Sequence, residues 1–166
     1  YITLHCGLGN FREIDVEDLT KHKMDSEEMH VNEEACDIIN KTKREGHKVC
    51  AVGTTVQRVL ETAVSADGLI KPFDGWTNKF IFPPYDFTLA DAMVANFYMP
   101  YSTLLMLTAA YGGYDTIMKA YKEALKKEFP VLDRDGKPVL DETTGEPLVE
   151  HYSFGTYGDA MLILKD

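Results

Sequence analysis

The sequence from Lys48 to Glu61 reads KVCAVGTTVQRVLE and places a strand signal, a glycine and a helix signal in that order. The short apolar run over residues 48–52, bounded by Gly53, is typical of a fully buried strand in a parallel sheet. The apolar residues that follow have helical spacing up to the turn at residues 67–68: Val56, Val59, Leu60, Ala63 and Val64. This stretch therefore predicts a strand that leads directly into a helix.

Upstream signals extend this pattern toward the start of the chain. Residues 2–6 predict a strand, and the acidic stretch over residues 13–30 has weak periodicity and is predicted to be loop. Asn32 suits a helix N-cap, the basic residues at 41–44 suit the last turns, and Gly46 suits the left-handed position after the helix. Because strands and helices alternate, we predict an α/β domain whose largely parallel sheet has flanking helices.

Downstream signals are mixed. Residues 80–82 predict a short buried strand, and residues 91–97 are compatible with helix or strand. A buried helix is predicted from Ser102 to Gly112, and an amphipathic helix from Asp115 to a stop at Pro130. Turn signals within residues 131–150 predict a hairpin-like surface insertion. Residues 128–150 carry seven acidic and two basic side chains, which is half of the chain's net charge of -10.

Composition limits the class of protein. The 166 residues, 45% of them hydrophobic, suffice for one globular domain with a core. The apolar run over residues 104–111 is shorter than the roughly 20 residues that cross a bilayer, and no secretory leader is seen, so we expect a cytoplasmic protein without membrane contact. Since Tyr1 is followed at once by a strand, we also expect a fragment of a longer protein.

The cysteines are too few and too far apart for a disulfide framework or a four-ligand zinc site. They are Cys6, Cys36 and Cys50, and no pair has C-x-x-C spacing. Cys6 and Cys50 lie in apolar surroundings, where a free cysteine behaves as a small hydrophobe. This usage favours a reducing compartment.

Four segments, taken in order, resemble the C-terminal half of the S-adenosylmethionine:tRNA ribosyltransferase-isomerases of queuosine biosynthesis. They are LHCGLGNF at 4–11, VGTTVQRVLE at 52–61, NFYMPYSTLLML at 96–107 and YGDAMLI at 157–163. The resemblance covers nearly the whole chain except residues 131–150. It implies that residues 1–166 are one α/β domain, the later part of a longer catalytic domain, without the small β-barrel domain that is inserted in this family.

The resemblance also implies an activity. Such an enzyme transfers the ribosyl moiety of S-adenosylmethionine to 7-aminomethyl-7-deazaguanine in the tRNA anticodon loop and isomerises it to epoxyqueuosine, releasing adenine and methionine. S-adenosylmethionine is then a co-substrate, tRNA is the partner, and no metal is needed. We expect the isolated chain to be inactive.

Several residues depart from the family's pattern. Asn10 stands where Thr is common, Tyr98 where His occurs, Pro84 where Gly occurs, and Ser153 where Arg precedes the Phe. A noncatalytic paralogue that binds S-adenosylmethionine or RNA is therefore the alternative.

Four side chains are candidates for catalysis. His5 is a possible general acid or base, or else a hydrogen-bonded core histidine. Glu27, in the segment HKMDSE, matches an acidic position of the family and could contact an ammonium or hydroxyl group, or else be solvated in a surface loop. Arg58 lies three residues before Glu61, which predicts either a site pair or a surface ion pair. Asp159 could orient the substrate amine or cap a helix.

A second group of residues is predicted to bind the co-substrate. Unpaired amides at a helix start attract anions, so Gly53, Thr54 and Thr55 could hold a carboxylate, unless a threonine only caps the helix. Gly7 and Gly9 offer close backbone approach. The resemblance adds three polar residues of its third segment: Asn96, Ser102 and Thr103. Tyrosines 98, 101, 111 and 114 could stack on an unpaired base or belong to the core.

Overall fold

The computed structural model describes residues 1–165, and Asp166, the last residue of the predicted domain, lies outside the described residues. The described chain has eight strands and four α-helices, which confirms the α/β class. In chain order these are β1 Ile2–Leu4, β2 Glu27–Val31, α1 Glu33–Arg44, β3 Cys50–Val52, α2 Thr54–Ala63, β4 Phe73–Thr77, β5 Ala92–Asn96, α3 Thr103–Gly112, α4 Tyr114–Lys126, β6 Glu128–Pro130, β7 Val149–His151 and β8 Ala160–Leu164. Short 3-10 helices occupy Leu8–Phe11 and Leu19–Lys21.

The prediction of a largely parallel sheet is wrong. The strands form three sheets, ordered β1-β2-β4, β3-β5-β8 and β6-β7. Within the described residues, only β3 and β5 pair in parallel, with Ala51 opposite Met93, and the other strand pairs are antiparallel. The strand–helix–strand unit over residues 27–52 therefore joins strands of two different sheets, and β8 returns antiparallel to β5.

The missed strand β2 accounts for one of the antiparallel sheets, β1-β2-β4. It lies at the end of the stretch predicted to be loop, and its burial alternates, with Glu27, Met29 and Val31 buried. A half-buried strand is recognised in sequence by apolar residues at alternate positions. A glutamate at one of the inward-facing positions interrupts this pattern. β2 pairs with β1 on one side and with β4 on the other.

Helix α2 lies at the centre of the molecule. It contacts strands of both larger sheets, namely β1 and β4 in one and β3 and β5 in the other, as well as α3. Seven of its ten residues are buried, among them the polar residues Gln57, Arg58 and Glu61. Because buried polar groups need partners, this helix fixes the loops around it as well as the core.

The capped helices agree with prediction. The Asn32 side chain accepts a hydrogen bond from the Ala35 amide at 2.8 Å, and Ser102 accepts one from the Leu105 amide at 3.1 Å. Residues 92–96 are extended, which resolves the open choice for that segment.

Other local predictions are wrong. Residues 80–82 form no strand, and Phe80 packs on the ring of His22, with 4.7 Å between ring centroids. Strand β3 is buried only at its central residue. Cys6 and Cys50 are exposed rather than packed, whereas Cys36 is buried.

The segment that follows α4 forms two stacked turns. β6 pairs with β7, and isolated bridges join Leu132 to Pro138 and Leu140 to Pro147. Nearly all side chains of residues 132–148 are exposed. Among residues 1–165, no helix has the length and apolar character of a membrane span.

Candidate functional site

A buried ion pair joins β2 to α2. The Arg58 guanidinium donates a hydrogen bond to Glu27 Oε2, and the two side chains are 3% and 2% exposed. Burial lowers the pKa of Arg58, and the neighbouring Cys6 acts in the opposite direction. Of the two readings of Arg58 and Glu61, the surface ion pair is wrong, as is the reading of Glu27 as a solvated loop residue, because both carboxylates are buried and Arg58 pairs with Glu27.

Glu27 also holds the glycine turn of residues 7–10. Its Oε1 accepts hydrogen bonds from the Gly7 amide at 2.5 Å and from Asn10 Nδ2 at 2.6 Å. A Cβ atom at Gly9 would lie 2.7 Å from Asp25 Oδ2. Because Gly9 has no Cβ atom, the segment that precedes β2 can approach it closely at Asp25.

The start of α2 has no side-chain cap. Gly53, with a φ of +105°, is the N-cap and donates its amide hydrogen to the Val94 carbonyl at 2.8 Å. The Thr54 hydroxyl bonds instead to the Tyr98 hydroxyl at 3.1 Å, so the reading of a threonine as the cap is wrong. Among residues 1–165, no hydrogen bond engages the amides of residues 54–56. These amides carry the partial positive charge of a helix N-terminus.

A narrow cleft opens at this helix start, between the glycine turn and α3. Its polar lining consists of Asn10, Thr54, Thr55, Arg58, Lys79 and Thr103. Asn10 Oδ1 and Thr103 Oγ1 are buried, and neither has a hydrogen-bond partner among the described residues. A wider cavity lies beside the cleft, and Asn10 and Leu104 border both spaces.

The wider cavity is lined by Phe11, Tyr98, Met99 and Pro100, together with the polar Ser102. Tyr98 is only 8% exposed, and its amide donates to the Tyr121 hydroxyl at 2.7 Å. Burial raises the pKa of Tyr121 to about 12. Tyr98 is thus held at both its backbone and its hydroxyl.

The other tyrosines divide by exposure. Tyr111 is buried and donates its hydroxyl to the Ala90 carbonyl at 3.0 Å, which places it in the core with Tyr98. Tyr101 and Tyr114 are 68% and 60% exposed. Only this second pair is open to stacking on a base.

Asn96 contacts the turn that contains Asp159, and neither residue is a hydrogen-bond partner of the Glu27–Arg58 ion pair among the described residues. Asn96 Nδ2 donates to the carbonyls of Gly158 and Asp159, at 3.0 and 3.3 Å. The Asp159 carboxylate accepts from the Ser153 amide at 2.8 Å and closes a turn, so it caps no helix. Residues 155 and 156 of this turn line the wider cavity.

His5 follows β1 and is exposed, so the core-histidine reading is wrong. Its amide donates to the Glu28 carbonyl at 2.8 Å.

Lys79 and Met24 are lining residues that sequence reasoning missed. Lys79 Nζ contacts the Glu61 carbonyl at 2.5 Å and the Tyr85 hydroxyl at 3.3 Å. Burial and the Glu61 carboxylate raise the pKa of Tyr85 to about 12. The only local signal for Lys79 was a lysine directly before an apolar run. Met24 places its sulfur 2.9 Å from Arg58 Nη1.

Comparison with known protein families shows to which family the chain belongs. The model of a family described as "Queuosine biosynthesis protein" matches residues 1–132. The chain belongs to the queuosine biosynthesis protein family. Relatives in this family include the S-adenosylmethionine:tRNA ribosyltransferase-isomerases of Phocaeicola vulgatus, 62% identical over 164 residues, and Symbiobacterium thermophilum, 46% identical over 163 residues.

These alignments cover 99% and 98% of the chain but only 40% and 41% of the relatives. Among family members of known structure is the S-adenosylmethionine tRNA ribosyltransferase from Thermotoga maritima, with a TM-score of 0.62 and 39% identity. That match covers 83% of this chain and 41% of the other. The chain therefore spans about two-fifths of the length of its curated relatives.

Proposed function

We propose that the protein carrying this chain is a tRNA ribosyltransferase-isomerase. It transfers the ribosyl moiety of S-adenosylmethionine to 7-aminomethyl-7-deazaguanine in the anticodon loop, isomerises it to the epoxycyclopentane of epoxyqueuosine, and releases adenine and methionine. The observation that carries this proposal is the Glu27–Arg58 pair, which anchors the HCGLGN turn beside the free amides of the VGTT helix start. Two of the family's motifs thereby form one cleft.

In this proposal Glu27 and Arg58 are positioning residues. Both are almost fully buried, and Glu27 accepts hydrogen bonds from the glycine turn as well as from Arg58. Their role is to hold Asn10 and the turn against α2. Thr54 and Thr55 bind the co-substrate, and the exposed His5 remains the candidate for proton transfer.

Tyr98 positions Thr54 and takes no part in proton transfer. Its hydroxyl bonds to Thr54, and its ring lines the wider cavity where the nucleoside part of the co-substrate would lie. Ser102 caps α3 at the same cavity, and Asn96 and Asp159 fix the turn that borders it.

The rest of the proposed enzyme lies outside this chain. Residues 1–166 form a part of its catalytic α/β domain, residues 131–150 are a surface insertion, and the inserted β-barrel and the main tRNA-binding surface belong to other segments. The net charge of -10 supports this division, since phosphate affinity depends on clustered lysine and arginine. We place the reaction in the cytoplasm, without a metal, and we expect the isolated chain to be inactive.

Adenine release tests the proposal. The full-length protein is incubated with S-adenosylmethionine, with or without tRNA carrying 7-aminomethyl-7-deazaguanine, and adenine is quantified by chromatography. Release that depends on the modified tRNA supports the proposal. Binding of S-adenosylmethionine without any release would instead identify a noncatalytic paralogue.

A further inference from the structure

One face of the sheet β3-β5-β8, which we call the outer face, is apolar and exposed. The strand register places Val52 beside Val94 and Val94 beside Leu162, and a second row lies two residues away. The side chains of the outer face are Cys50, Val52, Ala92, Val94, Leu162 and Leu164. Val52, Leu162 and Leu164 are 67%, 61% and 68% exposed. Soluble proteins rarely leave a large continuous apolar patch in water, so such a patch indicates an interaction surface.

The opposite face of the same sheet is packed. Ala51, Met93 and Ile163 point to this side and are at most 8% exposed. Helices α2 and α3 contact the sheet. Residues 1–165 therefore bury one face of this sheet and leave the other open.

The sequences of the three strands fit burial on both faces. β3 reads CAV, β5 reads AMVAN and β8 reads AMLIL, so apolar residues occupy successive positions rather than alternate ones. Continuous apolar runs are typical of strands covered on both sides, and parallel pairs such as β3 and β5 occur almost only in sheets of that kind. These strands have the sequence of a middle layer.

The rest of the protein's own polypeptide is the best candidate for the missing layer. The chain aligns with 40% of the relative from Phocaeicola vulgatus, which leaves about three-fifths of such a protein outside the alignment. A segment of the same polypeptide has a high effective concentration at this face, whereas a separate molecule must first lose translational freedom. The outer face has no lysine or arginine for tRNA phosphates.

We propose that the outer face is an interface within the whole protein, covered by an apolar surface of the polypeptide outside residues 1–166. The interface extends past the edge of β3, because Cys50 also lines an apolar groove with Ile38 and Ile39 of α1. It does not depend on which reaction the protein catalyses.

Alkylation of Cys50 tests this cover without any substitution. Among the described residues Cys50 is exposed, whereas Cys36 is buried and serves as the internal standard. The full-length protein is treated with N-ethylmaleimide in buffer and in urea, and the modified peptides are quantified by mass spectrometry. Cys50, like Cys36, should react at least about tenfold more slowly in buffer than in urea, as a covered thiol does. Any smaller protection of Cys50 would overturn the proposal.

Dilution separates a cover from the same polypeptide from a cover by a second copy. The first is independent of protein concentration, whereas the second is lost as dimers dissociate. The alkylation rate of Cys50 should therefore stay constant over about a hundredfold range of protein concentration. Faster alkylation on dilution, together with a dimer in sedimentation, would overturn the proposal.

Leu162→Lys tests the same face by stability. Leu140→Lys is the matched control, because Leu162 and Leu140 are 61% and 54% exposed and Leu140 lies in the surface hairpin. A lysine beneath a covering layer would lose its hydration. Leu162→Lys should lower the thermal midpoint of the full-length protein by at least about 5 °C, and Leu140→Lys by less than about 2 °C. A shift for Leu162→Lys no larger than that for Leu140→Lys would overturn the proposal.

Discussion

Arg58 on α2 and Glu27 on β2, 31 residues apart in sequence, form a buried ion pair that ties a central helix to the sheet and the glycine turn. A surface ion pair contributes little, whereas removing one partner of a buried pair leaves an uncompensated charge. The pair therefore governs the stability of the cleft.

We expect Arg58→Ala to lower the free energy of unfolding by about 3–5 kcal/mol, because it strands the Glu27 carboxylate in the interior. Arg12→Ala is the matched control, since Arg12 pairs with Asp25 at the surface, where the side chains are 64% and 45% exposed. This control should cost less than about 1 kcal/mol. Urea unfolding of the intact protein measures both. Similar losses for the two variants would contradict a structural role for the buried pair.

The two glycines of the turn should respond differently to alanine. An added Cβ at Gly9 would lie 2.7–3.0 Å from three atoms of the Asp25 side chain, whereas at Gly7 it would meet only Glu27 Oε1 at 3.7 Å. Gly9→Ala must displace Asp25 and should cost about 1–3 kcal/mol, as other overpacked sites do. Thermal unfolding of both variants checks the difference. Equal stability of Gly7→Ala and Gly9→Ala would show that Asp25 moves freely.

Asp91 should stabilise the fold in a pH-dependent way. Burial alone would raise its pKa, but hydrogen bonds from the Val49 amide and Lys43, together with the charges of Lys43 and Lys48, lower it overall. A carboxyl group whose pKa is lower in the folded state than in the unfolded state stabilises the fold at pH values above its unfolded-state pKa, near 3.9. This stabilisation is lost as the pH falls through the folded-state pKa.

Asp91→Asn should therefore lower the free energy of unfolding by about 1–2 kcal/mol at pH 7, and the difference should shrink below about pH 4. Asp86→Asn, at an exposed carboxylate nearby in sequence, is the control and should change the free energy of unfolding at pH 7 by less than about 0.5 kcal/mol. Denaturant unfolding of each variant and of the wild type at several acidic pH values measures these differences in free energy of unfolding. A deficit for Asp91→Asn that stayed constant with pH would exclude an ionic contribution.

The acidic hairpin should weaken tRNA binding. Its side chains over residues 132–148 are nearly all exposed and include five acidic and two basic groups, so their net negative charge repels phosphates through solvent. Replacing its aspartates and glutamates by amides should lower the Kd for tRNA at about 0.05 M salt, and the gain should vanish near 1 M. Filter binding at both salt concentrations measures this. Weaker binding by the neutralised hairpin would indicate that it contacts tRNA directly.

The sequence predicted features that depend on nearby residues. Asn32 and Ser102 cap helices by bonding three residues ahead, and such signals are readable from spacing alone. Strand β2 was missed because its first residue is a glutamate whose partner, Arg58, is distant in sequence. The parallel sheet was wrong for a similar reason, since nothing local reveals that β8 returns antiparallel to β5.

The same limit applies to the cleft. The motifs around Asn10 and Thr54 were recognised separately, but the unpaired oxygens of Asn10 and Thr103 follow from long-range packing. Lys79 enters the cleft because it bonds to the carbonyl of Glu61, a contact without a local sequence signature.

Hydrogen–deuterium exchange of the full-length protein with and without S-adenosylmethionine tests whether the co-substrate binds at the start of α2, because it measures the backbone amides of that site. We predict slower exchange in the bound state at residues 54–56 and in the glycine turn at residues 7–10. Saturating S-adenosylmethionine that left both segments unchanged, or protected only residues elsewhere in the chain, would contradict the assignment of this cleft.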